Sequence, residues 1–312
     1  MESINRILAR ELGREQSHID NVIKLLDEGN TIPFIARYRK ELHGAMDDTA
    51  LRTLAERLEY LRSLQDRRES VKKSIGEQGK LTEELERDID EAQTLAALED
   101  IYRPYKPKRR TRATIAREKG LEPLAARIFA QEADCPAPEE LAEEYINEEK
   151  GVLSVEDALA GASDIIAEQI SEDADIRRIL REYIQTSAVV GSRAASEEDS
   201  VYRLYYDFSQ RIGRLQGHQI LALNRGEKEG FLKVDVELDR DSALQRVRRH
   251  VIRPGSRAMS FVRVAADDAY DRLIWPSMER ETRNTLSDMA CEGAIKNFGL
   301  NLKPLLMQPP VK

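Results

Sequence analysis

The sequence predicts a mainly α, multihelical protein of several subdomains, with a helix-turn-helix-like N-terminal part, a long central helix and a small β element near residues 201–238. Three observations carry this. Apolar residues recur three and four positions apart along nearly the whole chain, the spacing of one helical face. Leu51, Leu54, Leu58, Leu61, Leu64, Val71 and Ile75 hold that spacing without a break. Only Phe231–Leu238 alternates with period two, as a half-buried strand does.

In chain order, Ser17 precedes Ile19, Val22, Ile23 and Leu26, with Asp20 as a capping-box acid and Gly29 at the C-terminal cap. A second helix follows from Thr31 to Glu41, with Pro33 in its first turn and Phe34 and Tyr38 one turn apart. The hairpin of residues 17–42 is therefore helix-turn-helix-like. The apolar run from Asp47 to Ile75 predicts a helix about 43 Å long, enough to run between subdomains. Opposite charges one turn apart, Arg52/Glu56, Arg62/Asp66 and Glu69/Lys73, support it. Thr82 caps a further acidic helix to Asp100. Beyond the basic loop of residues 102–119, helices are expected at Leu121–Phe129, Leu141–Ile146, Leu159–Ile170 and Ile176–Ile184.

Residues 191–200 lose the apolar periodicity and read as a linker, dividing a multihelical region of residues 1–190 from a second helical region of residues 201–312. In the latter, a helix from Gly217 should end at Gly226, and the strand at Phe231–Leu238 needs a partner, with Val201–Tyr206 one candidate. Ser242 should cap a helix to Ile252, and two more helices should flank Pro276. Pro309-Pro310-Val311-Lys312 reads as linker sequence.

Composition narrows the function. The 312 residues carry 49 Lys and Arg against 57 Asp and Glu, a net charge of −8, which argues against indiscriminate coating of nucleic acid and makes the distribution of charge decisive. No apolar run reaches the ~20 residues of a membrane span, and the N-terminus has no signal-peptide pattern, so the expected location is cytoplasmic. Cys135 and Cys291 read as reduced thiols. His18, His43, His218 and His250 show no ligand spacing, so neither a metal nor any other cofactor is expected. No nucleophile triad, zinc motif or carboxylate cluster can be proposed from spacing, and the chain is expected not to be an enzyme by itself.

Three basic segments remain as candidate nucleic-acid contacts. Tyr102 to Lys119 holds Arg103, Lys106, Lys108, Arg109, Arg110, Arg112, Arg117 and Lys119 against Glu118 alone, with Pro104 and Pro107 interrupting any helix. Such cations on an exposed extended backbone would meet phosphates, with Tyr102 and Tyr105 stacking on bases. The structural alternative is a packed connection whose arginines pair with the preceding acidic helix. In the hairpin, Arg37, Arg39 and Lys40 would be the contacts of a recognition helix, or else the wet face of an ordinary helical hairpin. In Tyr202–Gly230, Arg211, Arg214, His218, Arg225 and Lys228 lie among glycines that either let phosphate approach or simply make turns and caps.

Thr31-Ile-Pro-Phe-Ile-Ala-Arg-Tyr-Arg-Lys-Glu-Leu-His-Gly, the run from Leu98 to Glu122, and Tyr205-Tyr-Asp-Phe-Ser through Leu223-Asn-Arg-Gly-Glu-Lys-Glu-Gly230 resemble the N-terminal region of the Tex family of bacterial transcription accessory proteins, over essentially the whole chain. The resemblance implies a cytoplasmic, nucleic-acid-binding protein acting with transcription. It also implies that an RNase H-like YqgF-type domain, helix-hairpin-helix units and an OB-fold RNA-binding domain lie outside this chain. The expected function is an N-terminal scaffold that contacts DNA or RNA, weakly in this fragment, and is non-catalytic. The alternative is a protein-interaction module docking RNA polymerase, the ribosome or its own C-terminal domains.

Overall fold

The computed structural model describes residues 3–106, 110–195 and 200–308. The chain divides into two compact units, Met1–Lys106 and Pro107–Lys312, so the division falls inside the basic loop and not at residues 191–200.

The first unit is built from α1 (Ile4–Leu12), α2 (Gln16–Asp27), α3 (Ile32–Tyr38), α4 (Asp48–Glu77), α5 (Glu83–Glu91) and α6 (Leu95–Tyr102). Side-chain caps start most of them: Ser3 accepts from the Arg6 N–H, Asp47 from Ala50, Thr82 from Leu85 and Thr94 from Ala97. α2 is capped at Glu15, two residues before the expected cap, so Ser17 lies inside it and Asp20 instead accepts a hydrogen bond from Asn5 at 2.5 Å. The acidic run divides into α5 and α6 because Thr94 caps a new helix after the extended Ala92.

The long helix serves two cores. Leu51, Leu54, Leu58 and Leu61 pack with Leu8, Ile19 and Ile35, while Leu64, Val71 and Ile75 pack with Ile89, Leu98 and Tyr102. Its charges tie it to other helices in place of the expected pairs. Arg57 forks onto Glu11 at 2.7 and 2.8 Å, and Arg62 onto Asp27 at 2.7 and 2.9 Å, each holding its carboxyl below the ordinary range by hydrogen bonding. Arg52 turns back to Asp48.

The second unit contains α7 (Arg112–Glu118), α8 (Glu122–Ala130), α9 (Pro138–Ala142), α10 (Val155–Glu172), α11 (Ala174–Ser187), β1 (Val189–Ala194), β2 (Asp207–Arg211), α12 (Gly217–Lys228), β3 (Leu232–Glu237), α13 (Arg240–Val251), α14 (Met259–Asp268) and α15 (Trp275–Leu306). One core joins them, with Ala158, Ala162, Ile165, Ile166 and Ile170 of α10 fully buried at its centre. Ser154 caps α10, accepting from the Asp157 N–H. Gly161 leaves room for α8: a Cβ there would stand 2.3 Å from Leu121 Cδ1. Gln131 ends α8 with φ +50° and bridges to α13, donating to the Val251 carbonyl at 2.8 Å and accepting from the Arg253 N–H at 3.0 Å.

The predicted linker and the predicted strand partner are both corrected. β1 is the centre of a three-stranded antiparallel sheet in the order β2-β1-β3, with Val190 opposite both Gln210 and Val236. Gly191 and Ser192 hid this strand, because neither is a strand former. Gly191 admits the Phe208 backbone and the Glu237 carboxylate, and the Ser192 hydroxyl donates to the Tyr205 carbonyl at 2.6 Å. Residues 201–206 form a turn and a short 3-10 helix, and the strand partners are β1 and, through it, Asp207–Arg211. α12 runs past Gly226 because a side chain there would collide with Leu232 and Tyr202; the stop is Gly230, at φ +82°. Asp239, not Ser242, caps α13. A π-helical turn at Ala269–Ile274 carries α14 into α15, and Pro276 stands in the first turn of α15, where no intrahelical N–H is needed, so Pro276 separates no helices. No described helix is long and apolar enough to cross a membrane.

Candidate nucleic-acid interface

The hairpin offers few free cations. α3 has only seven residues and ends at Tyr38, so Arg39 is its cap residue and Lys40 lies in the following turn; of the three, Arg37 alone is helical. Phe34 and Tyr38 do meet, with ring centroids 5.3 Å apart and planes inclined at 46°, and the Arg39 guanidinium lies 5.4 Å from the Phe34 ring. A recognition helix needs several base-facing side chains on one exposed face, and two turns carrying a single arginine do not supply them.

The basic loop is mostly answered by carboxylates. Lys106 pairs with Glu99, and Arg103 lies 3.8 Å from Asp100, both acids belonging to α6 just before the loop. Burial pushes the Glu99 carboxyl up, but hydrogen bonds from Arg67 and Lys106 outweigh it and leave the group below its ordinary value. Tyr102 is buried, its hydroxyl 2.8 Å from Ser74 Oγ, and so is not available for stacking. Pro104 sits in a 3-10 turn continuing α6, so the backbone there is not extended.

In the second unit, Arg110 pairs with Glu118 at 2.7 Å and Arg117 with the buried Glu168 at 2.6 Å, while the Thr111 hydroxyl also donates to Glu168. Lys119 donates to the Gly151 carbonyl. Arg112, exposed at the first turn of α7, has no carboxylate partner among the described residues. Lys108 and Arg109 lie outside the described residues.

The third segment is different. Arg211 ends β2, Arg214 closes the 3-10 turn that follows, and Arg225 lies two turns into α12; all three are exposed, and none has a carboxylate partner among the described residues. His218 is exposed on the same helical face as Arg225. Glutamines hold the corner in shape. Gln210 donates to the Arg214 carbonyl at 2.5 Å, and Gln219 accepts from the Gln216 N–H at 2.9 Å in the first turn of α12. Sequence reasoning passed over these glutamines, although Gln216-x-x-Gln219 before an apolar run is the signal of such a cap. Tyr202 packs under the corner and donates to Glu229 at 2.8 Å; burial and that carboxylate push its phenol up, with the Arg225 charge working the other way.

Among the described residues, one group brings possible metal ligands within 4.8 Å of one another: Asp173, Asp175 and His250. Asp173 caps α11 and lies 3.4 Å from His250, and Asp175 pairs with Arg178 at 3.0 Å, so each acid already has a structural partner. Cys135 is buried and Cys291 exposed, both as free thiols.

Comparison with known proteins identifies the lineage. Residues 2–76 match the Tex-like protein N-terminal domain, and residues 134–298 match the Tex central region-like family. Protein tex of Bordetella pertussis is 42% identical over 97% of this chain and 40% of its own length. The transcriptional accessory protein Tex of Neisseria gonorrhoeae is 39% identical over 99% of this chain and 41% of its own. A human relative named S1 RNA-binding domain-containing protein 1 is 35% identical over 93% of this chain and 31% of its own length. The chain thus spans about two fifths of the length of these bacterial relatives. With two family regions matched and relatives near 40% identity across almost every residue, the chain belongs to the Tex family.

Proposed function

We propose that this chain is a non-catalytic, nucleic-acid-contacting scaffold of a cytoplasmic transcription accessory factor, and that Arg211, Arg214 and Arg225 make its principal phosphate contacts. The observation that carries the reading is the state of these three arginines: exposed, held on regular elements and without carboxylate partners among the described residues. A phosphate meeting them displaces only water and counterions, whereas one meeting Lys106 or Arg117 must first displace Glu99 or Glu168. The names of the relatives, a transcriptional accessory protein and an S1 RNA-binding domain-containing protein, support the same reading. The non-catalytic assignment is supported by the one cluster of possible ligands among the described residues, in which Asp173 caps α11 and Asp175 pairs with Arg178, so that its acids already have structural roles.

Fluorescence anisotropy of labelled DNA and RNA, single- and double-stranded, at a series of salt concentrations tests it. Three phosphate contacts predict a slope of log affinity against log salt of about −3 on duplex. Changing Arg211, Arg214 and Arg225 together to Ala should flatten it. An unchanged slope in the triple variant, or no binding by the folded chain, overturns the proposal.

A further inference from the structure

We propose that the chain self-associates through the outer edge of β2, which pairs antiparallel with the same strand of a second copy about Ser209. The two edges of the sheet are not alike. On β3, the Ala195 N–H donates to the Phe231 carbonyl at 2.9 Å, so Phe231, Lys233, Asp235 and Glu237 turn their backbone groups toward β1, and Leu232, Val234 and Val236 turn theirs away. That edge is covered. The Arg283 guanidinium donates to the Val234 carbonyl at 3.4 Å, and Leu232 lies against Gly226.

On β2, the Ala194 N–H donates to the Tyr206 carbonyl at 3.2 Å and the Ile212 N–H to the Ala188 carbonyl at 3.0 Å, which fixes the phase of the ladder. Phe208 and Gln210 therefore bond to β1, and the N–H and C=O groups of Asp207, Ser209 and Arg211 face away from it. All three residues are exposed, and among the described residues none of these outward groups has a hydrogen-bond partner. This edge is open.

An open edge is a template for another strand, and folded proteins guard it with charge. Here the charges are self-complementary. A two-fold axis at Ser209 sets Asp207 opposite Arg211 of the second copy and Arg211 opposite its Asp207, with serine facing serine. Each of these pairs is of the kind that exchanges two backbone hydrogen bonds, so every outward group of the strand is satisfied at once. A shift by two residues leaves one charged residue beyond the end of the facing strand, and a shift by four brings Asp207 against Asp207 or Arg211 against Arg211. Like charges directly opposite are destabilising. Both side chains are available for the pairing: Arg193, which stands across from Asp207 on β1, turns to Asp235 at 3.1 Å, and neither Asp207 nor Arg211 has an ion pair among the described residues. On the other face, half-buried Phe208 and Gln210 would alternate with Gln210 and Phe208 of the second copy.

Such an interface is isologous, as in most homodimers. It is also small, one strand of five residues a side, and belongs with transient associations of about 100 µM dissociation constant. At the far lower concentrations of a binding titration the chain is then monomeric and Arg211 is open to phosphate. At high concentration Asp207 of the second copy competes for it, leaving Arg214 and Arg225.

Sedimentation velocity of the chain without nucleic acid, from about 10 to 500 µM, tests this. Wild type should pass from monomer toward dimer across that range. Asp207→Arg and Arg211→Asp should each weaken association about tenfold or more, since either change sets like charges opposite each other at both ends of the paired strands. An equimolar mixture of the two variants should associate again, because each supplies the charges that the other lacks. Ser209→Pro removes an outward N–H while leaving the bonds to β1 intact, and should keep the chain monomeric. A wild type that stays monomeric throughout overturns the proposal. So does association that survives in both charge variants, or a mixture of them that fails to recover it.

Discussion

The basic loop and the corner of β2 and α12 both present arginines, and they differ in what those arginines face. The loop has the higher density of positive charge, but Arg103, Lys106, Arg110 and Arg117 each have a carboxylate within 4 Å. The corner has fewer cations spread over fifteen residues, and none of its three arginines is so matched among the described residues. A paired cation contributes little long-range attraction, because its acid repels the phosphate that it attracts. The number of cations in a segment is thus a poor measure of its field; the number left after pairing is the useful one.

The most severe test of this contrast is charge reversal. Arg211→Glu, Arg214→Glu and Arg225→Glu together should weaken nucleic-acid binding by about 100-fold or more at low salt. Arg110→Glu with Arg112→Glu should cost roughly tenfold or less, from Arg112 alone, because Arg110 is already matched by Glu118. Anisotropy titrations of the two variants side by side give the ratio. A larger loss from the loop pair breaks the comparison.

Within the loop, pairing is not uniform, and stability measurements separate the two kinds. The Arg110–Glu118 pair is exposed on both sides, 68% and 52%, and its loss should change stability by less than about 1 kcal/mol. Arg117 meets Glu168, which is 6% exposed, so Arg117→Ala takes the cationic partner from a buried carboxylate that the Thr111 hydroxyl also serves, and should cost about 3 kcal/mol. Chemical denaturation of both single variants measures the difference. Glu168→Gln in the Arg117→Ala background should recover part of the loss. Equal effects of Arg110→Ala and Arg117→Ala would show that the Arg117 pair is no more structural than a surface contact.

The helical architecture was legible because its signal is local. Long apolar periodicity at Leu51–Ile75 and caps such as Asp47, Thr82 and Ser154 are statements about neighbours a turn apart. The sheet was only half legible. β3 alternates openly, whereas β1 is a central strand whose Gly191 and Ser192 are dictated by the backbone and carboxylate they admit, contacts made with residues far along the chain. Pairing of charges is non-local in the same way. Nothing near Arg117 in sequence announces Glu168, fifty-one residues on, and nothing near Arg62 announces Asp27. The three basic segments could therefore be found from sequence but not ranked.

The corner has its own structural constraint, at Gly226. A Cβ there would lie 2.6 Å from Leu232 Cδ1, 2.9 Å from its Cγ and 3.1 Å from Tyr202 Cδ1, too close to a buried branch point to be relieved by a rotamer change. Gly226→Ala should destabilise the second unit by about 1–3 kcal/mol and displace α12 from β3, weakening binding through the placement of Arg225. Thermal denaturation and the same anisotropy titration should move together. A variant that loses stability but keeps full affinity in its folded form would show that Arg225 need not be held in place.

The smallest expected effect is the most specific to the loop. Hydrogen bonds from Arg67 and Lys106 hold the Glu99 carboxyl below its ordinary value of 4.5 in spite of its burial. A carboxyl lowered by folding contributes stability above the unfolded value and loses it as pH falls through the folded one. Glu99→Gln should therefore be less stable than wild type at pH 7, with the gap closing below about pH 4.5 in pH-dependent denaturation. The same change releases Lys106 at neutral pH. If the corner dominates binding, affinity for nucleic acid should rise by no more than about twofold, the share of one added surface cation. A tenfold rise would mean that Glu99 holds a strong phosphate contact in check, and the loop, once stripped of its acids, would then rank above the corner.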